Sequence, residues 1–323
     1  MTMTTKKILV TGSKGVIGSK LVEMLTQKGH DVFGIDLTHG LGEVGWEHPM
    51  GTSKFSYARC DVSNFRELQR VFEKAGPFDY VYHCAAEFGR WNGEDYYEKV
   101  WTTNAVGTKN IIRLQEKLDF KLIHFSSSEV YGDFNDIMKE DVLDNEVIKQ
   151  LNDYAMSKWV NEMQIRVSRI KHGTCTLIVR LFNTYGPGEW YHPYRSVNCK
   201  FCFHALKGLP VIVYKGHFRT STYIDDACRT LANIADNFKD AGVYNIGGLE
   251  YHDIETLVRE IWDYTGADPS LITYSDSEIL TTRSKRVDIS QAVKDFDHKL
   301  TVPLKEGVRR TIDWMRDYYK IKK

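Results

Sequence analysis

The chain has few cysteines, and their arrangement does not indicate a structural role. Six cysteines are scattered over 323 residues, several of them inside apolar runs where a reduced cysteine packs as a small core residue. We therefore expect no disulfide framework. Cys199 and Cys202 have metal-ligand spacing and His204 lies beside them, but no second Cys or His pair follows at zinc-site distance. We expect an ordinary half-buried helix there and no metal.

Net charge and long apolar runs are also missing. Lysine plus arginine equals aspartate plus glutamate, 43 each, so electrostatics give no reason to expect nucleic acid or an acidic membrane as partner. No apolar stretch approaches the roughly eighteen residues of a membrane span. The opening MTMTTKKILVTG passes from polar residues straight into a short apolar run, without the features of a signal peptide. We expect a soluble, cytoplasmic protein.

What the sequence does contain is a regular alternation of two patterns through its first half. Short β-branched runs such as KILVTG, HDVFGID and KLIHFSSS alternate with amphipathic stretches such as SKLVEMLTQKG and NFRELQRVFEKAG. This order is typical of βαβ units and predicts an α/β fold with a Rossmann-type, doubly wound parallel sheet. The regularity weakens beyond residue 187. We expect a first domain over 1–185, to which a strand and helix return at about 223–248, and a smaller, discontinuous second domain over 186–323.

A glycine-rich turn joins the first predicted strand to its helix. ILVTGSKGVIGSKLV places Gly12, Gly15 and Gly18 where glycines allow a tight turn, close approach of backbone N–H groups to a pyrophosphate, and close helix packing. Asp36 ends the second strand, eighteen residues after Gly18, at the position that bonds a ribose diol. Its carboxylate would repel a 2′-phosphate, which favours NAD over NADP. An unrelated tight turn and a turn aspartate would leave the same residues.

A tyrosine and a lysine stand four residues apart in NDYAMSKWVNE, a segment with a helical pattern. Tyr154 and Lys158 would share one helix face. The spacing alone is equally compatible with an ordinary surface pair. The functional interpretation is a tyrosinate, because a phenol with a pKa of about 10 becomes a base at neutral pH if a nearby cation lowers that pKa by about three units, roughly 4 kcal/mol. Such a base needs a redox partner, and the glycine turn predicts a dinucleotide that could serve as that partner.

Nine segments follow one another in a characteristic order: TGSKGVIG, Asp36, HCAA, NAVGTKN, SSSEVYGD, YAMSK, RLFNTYGPG, RTSTYIDDA and VPLKEGVRRTIDW. The ordered set spans nearly the whole chain and resembles the extended short-chain dehydrogenase/reductase family, in particular its nucleotide-sugar epimerases, dehydratases and decarboxylases. The resemblance implies NAD as cofactor and a nucleotide-diphosphate sugar as substrate, bound mainly by the second domain. The expected cofactor-binding residues are Gly12, Gly15, Val16, Ile17, Gly18, Asp36, Asp61, Val62, Ala85, Ala86, Ser126, Tyr154 and Lys158.

The resemblance also implies catalytic roles. Tyr154 and Lys158 look like the catalytic pair, with Lys158 also holding the nicotinamide ribose. In related dehydratases and decarboxylases, the segment here written SSSEVYG carries a threonine that bonds the sugar 4-oxygen, then two acid/base positions. On that alignment Ser127 replaces the threonine, and Ser128 and Glu129 take the acid/base positions. A glutamate there argues for chemistry at C5, although a carboxylate at a helix start is also favoured by the macrodipole.

Substrate contacts are expected from residues later in the chain and from two unusual segments. Asn183 and Arg219 match family positions near the sugar and the diphosphate, as does Arg286, for which Lys285 could substitute in the alignment. EFGRWNGEDYYEKVW and GEWYHPYRSVNCK depart from the usual family pattern. From these departures we add the substrate-binding candidates Glu87, Arg90 and Arg195.

The sequence therefore predicts an NAD-dependent nucleotide-sugar 4,6-dehydratase with a transient 4-keto intermediate. The alternatives are a 4-epimerase in which Glu129 is structural, a decarboxylase acting on a 6-carboxylate, and a dinucleotide-binding redox sensor without turnover. Retention of Ser127, Tyr154 and Lys158 argues against the sensor.

Family relatives dimerise through a four-helix bundle, so we also expect a homodimer. The predicted contacts involve the Tyr154 helix and the helix TTNAVGTKNIIRLQEKL. The stripe Ala155, Trp159 and Met163 would supply apolar contacts, unless it is buried within one subunit.

Overall fold

The fold is described from a computed structural model that covers residues 4–38, 55–248 and 250–322. Its strands in chain order are β1 (Lys7–Thr11), β2 (Asp31–Asp36), β3 (Phe55–Arg59), β4 (Tyr80–His83), β5 (Lys121–Ser127), β6 (Ile137–Met138), β7 (Thr176–Leu181), β8 (Thr184–Tyr185), β9 (Val211–Tyr214), β10 (Phe218–Thr220), β11 (Thr222–Tyr223), β12 (Val243–Ile246), β13 (Tyr251–Asp253), β14 (Ile272–Ser275) and β15 (Arg286–Val287).

The α-helices are α1 (Val16–Gln27), α2 (Phe65–Ala75), α3 (Arg90–Asp95), α4 (Tyr97–Val100), α5 (Gly107–Leu118), α6 (Val142–Asn145), α7 (Asp153–His172), α8 (Val197–Lys207), α9 (Ile224–Asn237), α10 (Ile254–Thr265), α11 (Ser290–Phe296) and α12 (Leu304–Tyr318). A π-helical segment, Trp101–Val106, leads from α4 into α5, and short 3-10 turns occupy Ser128–Tyr131 and Pro269–Leu271.

The central sheet confirms the predicted Rossmann-type fold. Seven strands lie in the order β12-β7-β5-β4-β1-β2-β3, and every neighbouring pair is parallel. The strand order reverses direction between β1 and β4, so the loops that follow these two strands diverge. Ligands of such sheets bind in the crevice outside the carboxyl ends of the strands at this switch point.

The helix that carries Tyr154 is fixed by clear signals at both ends. The Asn152 side chain caps α7 by accepting a hydrogen bond from the Ala155 N–H at 2.8 Å, and Gly173 ends the helix in the left-handed conformation at φ 67°. The cap places Tyr154 in the first turn of α7, where the helix packs against β5 and the turn that follows it. Local sequence thus determines where the tyrosine stands relative to the sheet.

A second lobe has its own apolar core. Helices α8, α10 and α12 pack together around residues such as Phe201, Leu257 and Ile312, beside the small two-stranded sheets of β9 with β14 and β10 with β13. Helix α9 packs instead on α1, and β12 is an edge strand of the main sheet. Chain segments therefore cross between the lobes several times.

The apolar stripe predicted for dimer contacts lies mostly inside the subunit. Ala155 is fully buried, and Trp159 packs against the small cluster that contains Val130 and Phe182. Met163 is half-buried. The assignment of Ala155 to an external face was wrong, because this position of α7 faces the rest of the subunit, whereas Trp159 is half-buried.

Among the described residues, no helix combines the length and apolar character needed to cross a membrane.

Candidate active site

A cavity of about 610 Å³ opens at the carboxyl ends of the central strands. It is lined by all thirteen predicted cofactor-binding residues and by the predicted catalytic residues Ser127, Ser128 and Glu129. Five of the six predicted substrate-binding residues also line it: Glu87, Arg90, Asn183, Arg195 and Arg219.

Arg286 lies elsewhere. Its side chain is exposed on β15 with the guanidinium 6.0 Å from the centre of the Tyr251 ring, and the neighbouring Lys285 points inward instead. Alternation along the strand explains the difference, because successive side chains of a strand face opposite sides. The alternative named for this position, Lys285, is therefore the one that contacts the site, through the Glu129 carboxylate.

The glycine turn leaves no room for side chains. Gly12 has φ 66°, and a Cβ there would lie 2.8 Å from backbone atoms of Ala85. A Cβ on Gly18 would lie 2.0 Å from the Gly12 carbonyl oxygen. The turn therefore brings the backbone and the amino end of α1 directly to the cavity, which is the arrangement that binds a pyrophosphate. The chain's own geometry thus fits a dinucleotide.

Asp36 is fixed at the end of β2 by backbone hydrogen bonds. Its Oδ2 accepts from the Lys14 N–H at 3.0 Å and its Oδ1 from the Leu37 N–H at 2.7 Å. These bonds hold the carboxylate at the cavity wall beside the glycine turn. A ribose diol can donate to a carboxylate placed in this way, whereas a 2′-phosphate would meet its negative charge.

A buried polar network holds the strand ends beneath this turn. His83 contacts the Thr11 hydroxyl through Nδ1 at 2.8 Å and the Thr108 hydroxyl through Nε2 at 3.0 Å, so β4 is tied to both β1 and α5. The Thr11 hydroxyl also accepts from the Ala85 N–H at 3.1 Å. Burial lowers the pKa of His83 to about 3, so the ring is neutral and serves as a structural link.

The catalytic pair lies between the cofactor end and the sugar end of the cavity. Tyr154 is hydrogen-bonded to Ser127, while Lys158 donates to the Phe125 carbonyl at 2.8 Å. Desolvation raises the pKa of Tyr154 to about 12, and the Ser127 hydrogen bond acts in the opposite direction. Burial lowers the pKa of Lys158 to about 8. The nearby Glu129 carboxylate adds to the rise in the pKa of Tyr154.

A buried ion pair holds β7 against α7, and the end of β5 is hydrogen-bonded to it. Arg180 forms two hydrogen bonds with Glu162, Nε to Oε1 at 3.1 Å and Nη2 to Oε2 at 2.8 Å. The Ser126 hydroxyl donates to the same Glu162 carboxylate at 2.5 Å. Such a bidentate pair is rigid, and the Ser126 hydrogen bond to it ties the strand that delivers Ser127 to the helix that delivers Tyr154.

Charged side chains from distant segments meet at the sugar end. The Glu129 carboxylate accepts a hydrogen bond from the Lys285 ammonium. Burial alone would raise the pKa of Glu129, but Lys285, Arg90 and Arg219 together bring it below its usual value. Arg90 in turn donates to Glu278 at 3.0 Å. Glu129 is therefore an ionised carboxylate in a wall rich in cations.

The two unusual segments pack against each other. The Arg195 guanidinium lies 3.9 Å from the centre of the Phe88 ring, and the Tyr194 hydroxyl donates to Asp95 at 2.6 Å. A Cβ at Gly89 would lie 2.6 Å from the Tyr194 carbonyl oxygen. The segments that depart from the family pattern therefore form one wall of the cavity.

Sequence reasoning missed Lys200, Glu189 and Glu278, which also line the cavity. Burial raises the pKa of Glu189 to about 7, and the Ser196 hydroxyl donates to its carboxylate at 3.1 Å. Lys200 has Glu278 and Arg90 as charged neighbours. The available signal was modest: Lys200 interrupts the apolar pattern of α8 shortly after Arg195.

The predicted ordinary helix carries Cys199 and Cys202 in its buried face. The Cys199 thiol contacts the Glu189 carbonyl at 3.4 Å, and His204 Nδ1 contacts the Pro210 carbonyl at 2.8 Å. Among the residues that the structure describes, no three His, Cys, Asp or Glu side chains are grouped as a metal site requires.

Comparison with known proteins agrees with this geometry. Residues 8–247 match the NAD dependent epimerase/dehydratase family. The chain is 27% identical to dTDP-glucose 4,6-dehydratase of Salmonella typhimurium, with 95% of this chain and 92% of the relative covered. It is also 27% identical to UDP-N-acetyl-alpha-D-glucosaminuronate decarboxylase of Bacillus cytotoxicus, with 97% and 98% covered.

Among solved structures, UDP-glucuronic acid 4-epimerase from Bacillus cereus, in complex with UDP-glucuronic acid and NAD, superposes with a TM-score of 0.84. Its identity to this chain is 25%, and the comparison covers 97% of this chain and 100% of that one. The family match and this NAD complex confirm the predicted cofactor, NAD. The chain belongs to the NAD dependent epimerase/dehydratase family.

Proposed function

We propose that the protein is an NAD-dependent nucleotide-sugar 4,6-dehydratase. The observation that carries this proposal is the position of Glu129, an ionised carboxylate in the same cavity as the Tyr154 and Ser127 pair. Oxidation of a sugar at C4 needs only the tyrosine and its hydroxyl partner. A second base, in addition to Tyr154, is needed when the C5–H bond must also be broken.

The first step belongs to Tyr154 and Ser127. Ser127, which is hydrogen-bonded to Tyr154, orients the sugar 4-hydroxyl beside the phenol. The Tyr154 phenolate then takes the proton of that hydroxyl. NAD, when bound, supplies the positive nicotinamide ring that lowers the phenol pKa, accepts the hydride from C4 and later returns it to C6. Burial raises the pKa of the Tyr154 phenol to about 12, an effect that a positive charge beside the phenol would oppose.

The second step belongs to Glu129. A 4-ketone acidifies the C5 hydrogen, and Glu129 removes that proton while the C6 substituent leaves. Lys285 and the two arginines near Glu129 keep the carboxylate deprotonated, so the base is ready at neutral pH. Burial of the pair also limits its contact with bulk water, which would otherwise solvate the carboxylate and weaken it as a base.

The diphosphate would be bound by the cations on the far wall. Arg195, Lys200 and Arg219 line this part of the cavity, and arginine matches phosphate oxygens through its planar fork. Arg219 is held in place by donating to the Phe218 and Arg283 carbonyls at 2.8 and 3.0 Å.

A decarboxylase acting on a sugar 6-carboxylate is the second candidate. The same cations that surround Glu129, namely Arg90, Arg219 and Lys285, could bind a carboxylate at C6. The ketone at C4 would then promote loss of carbon dioxide. A 4-epimerase is compatible with the site if the Glu129–Lys285 pair serves only to join the two lobes.

The experiment is incubation with a panel of nucleotide sugars that includes dTDP-glucose, UDP-glucose, GDP-mannose and UDP-glucuronic acid, followed by mass measurement. A dehydratase gives loss of water from a neutral hexose, a decarboxylase loss of carbon dioxide from the uronate, and an epimerase a product of unchanged mass. Loss of water from none of the panel members would reject the proposal.

The Glu129→Gln variant tests the second step directly. The amide keeps the size of the side chain but cannot accept the C5 proton, so reduced nicotinamide should accumulate and its reoxidation should slow by about two to four decades. Glu146→Gln, an exposed carboxylate outside the cavity, is the matched control. Normal turnover by Glu129→Gln would favour the epimerase.

A homodimer remains part of the proposal, with a revised contact face. Met156, Val160, Met163, Val167 and Ile170 follow the heptad spacing along α7, and the last two are 59% and 81% exposed. This stripe, rather than the buried positions, would pack against a second copy. Sedimentation of the wild type should exceed the 37.3 kDa of one chain, and Val167→Glu should dissociate it. Val293→Glu on α11 is the control.

A further inference from the structure

Lys285 is one of the most deeply buried lysines among the described residues. It is 2% exposed, and its ammonium donates to the Glu129 carboxylate. Its backbone is fixed on both sides: its N–H donates to the Phe218 carbonyl at 3.1 Å, and its carbonyl accepts from the Thr220 hydroxyl at 2.9 Å. The lysine is therefore placed by a rigid backbone and aimed across the lobe boundary at one carboxylate.

The surroundings of Lys285 set its protonation. The charged groups that face it are Glu129, Arg219 and Arg90. Burial lowers the pKa of Lys285 to about 8, and the two arginines add to this effect, while Glu129 opposes it. Lys285 is therefore mostly protonated at neutral pH, yet it can lose a proton at far lower cost than an exposed lysine.

The proposed elimination needs an acid as well as a base. Hydroxide is a poor leaving group, so the C6 oxygen must receive a proton as the C6–O bond breaks. Ser128, the residue at the family's other acid/base position, offers only an alcohol. The guanidinium groups of Arg90 and Arg219 do not release protons in proteins. Lys158 donates to the Phe125 carbonyl and lies at the cofactor end.

We propose that Lys285 is the general acid of the elimination and that it works as a unit with Glu129. This inference rests on the proposed dehydratase function. Glu129 accepts the C5 proton, the electrons of the C5–H bond form the C5–C6 double bond, and the C6–O bond breaks. Lys285 donates its proton to the departing oxygen, which leaves as water. The proton on Glu129 then passes to the Lys285 amine, and both side chains return to their starting charges. When hydride returns to C6, C5 takes up one proton, which is balanced by the proton that Tyr154 took from the 4-hydroxyl and now releases.

The contact between the two side chains makes the return step direct. The carboxylate and the ammonium are already hydrogen-bonded, so no solvent path is needed between them. Glu129 could not be both the strong base and the acid at the same instant, and the pair divides these tasks. The arrangement also explains why a lysine, rather than an arginine, suits this position.

The test uses Lys285→Met and Lys285→Arg in the full-length enzyme loaded with NAD, with the panel member that the wild type dehydrates as substrate. Rapid mixing separates the first phase, in which the nicotinamide is reduced, from the second phase, in which it is reoxidised after elimination. Lys285→Met should keep the first phase and slow the second by about two to four decades. Lys294→Met, on the exposed face of α11, should leave both unchanged.

Two further measurements show whether Lys285 donates a proton or only holds Glu129 in place. Lys285→Arg keeps a cation beside Glu129 but cannot donate a proton, so its second phase should remain slow. Added ethylamine should partly restore the second phase of a Lys285→Ala variant, because the truncated side chain leaves room for an amine that supplies the proton. A second phase at the wild-type rate in Lys285→Met or Lys285→Arg would overturn the assignment of Lys285.

A failure of the assignment differs visibly from a failure of the proposed function. If the wild type dehydrates no panel member, the dehydratase proposal fails and the assignment falls with it. If the wild type dehydrates a substrate and either Lys285 variant reoxidises the nicotinamide normally, the assignment of Lys285 alone is wrong. Preserved reduction of the nicotinamide in the first phase shows that a variant is folded and binds both ligands.

Discussion

The two ends of the cavity are built in different ways. At the cofactor end the wall is mainly backbone: the glycine turn, the ends of β1 and β2, and an aspartate fixed by two N–H groups. At the sugar end the wall is made of side chains that come from distant parts of the chain. Glu129 meets Lys285, 156 residues later, and Arg90 meets Glu278, 188 residues later.

This difference determines what each end can vary. A wall made of backbone tolerates almost no added atoms. It binds the cofactor NAD, which the dehydratase, decarboxylase and epimerase reactions would all use. A wall of side chains can be changed one residue at a time without altering the fold. Substitutions at the cofactor end should therefore affect NAD affinity, and those at the sugar end should affect chemistry and substrate affinity.

Tyr154→Phe should separate the two ends most clearly. The substitution removes the hydroxyl that bonds to Ser127 and takes the substrate proton, but it keeps the ring and its packing. We expect turnover to fall by about two to four decades, with NAD affinity unchanged within about twofold by titration. A control is Tyr274→Phe on β14, whose ring is 49% exposed. Near-normal turnover would show that Tyr154 is not the base.

Gly18→Ala should do the reverse. The new methyl group would lie 2.0 Å from the Gly12 carbonyl oxygen, so the turn must shift and carry its N–H groups away from the pyrophosphate. Overpacking of this kind costs about 1–3 kcal/mol, so NAD affinity should fall by roughly five- to 150-fold. Calorimetric titration measures it.

A matched change on the same helix shows whether the effect is local. Gln27→Ala lies in the last turn of α1 and should bind NAD like the wild type. If Gly18→Ala also binds NAD normally, the close packing of the turn has no role in cofactor binding.

The same difference explains what the sequence could predict. The cofactor end follows from local rules, because a glycine turn between a strand and a helix, and an aspartate at the next strand end, lie within one βαβ unit. The position of Tyr154 followed from helix spacing and a family resemblance. All of these residues line one cavity in the structure.

The sugar end could not be predicted in the same way. The choice between Lys285 and Arg286 depends on which of two adjacent side chains points inward where the two-residue strand β15 begins, and nothing in the local sequence decides that. The pairing of Arg90 with Glu278 depends on how the two lobes meet. The dimer stripe failed for a related reason, because the first turns of α7 are packed against neighbouring segments whose positions are set by the whole fold.

Asp36→Asn should have a smaller effect than the change in the turn. The amide oxygen can still accept from one of the two backbone N–H groups, but the amide nitrogen cannot accept from the other, so one of the two bonds that fix the side chain is lost together with the negative charge beside the ribose. We expect NAD affinity to fall by about tenfold, near 1.5 kcal/mol, and the preference over NADP to narrow. Competition binding between the two dinucleotides measures both. An unchanged preference would mean that Asp36 does not face the ribose.

The smallest expected effect concerns the Arg90–Glu278 pair, which closes the sugar end. Both side chains are largely buried, at 21% and 16% exposed, and they join α3 of the first lobe to a segment of the second across the cavity. Since NAD lies at the other end, Arg90→Met should leave its affinity unchanged. The loss of an ion pair of this kind costs about 0.5–1 kcal/mol, so KM for the nucleotide sugar should rise by roughly two- to fivefold.

A double-mutant cycle sharpens this prediction, because Arg90 can act either through Glu278 or directly on the substrate. If the pair acts by holding the wall together, Glu278→Gln alone should raise KM to a similar extent, and the double variant should be little worse than either single one. If Arg90 contacts the substrate itself, its removal should raise KM more than that of Glu278, and the two effects should add. Arg316→Met, which breaks a 3.2 Å pair with Asp313 on α12 outside the cavity, should leave KM unchanged. An equal rise in KM for Arg316→Met would mean that the effect reflects general stability, and the distinction between the two ends of the cavity would lose its support.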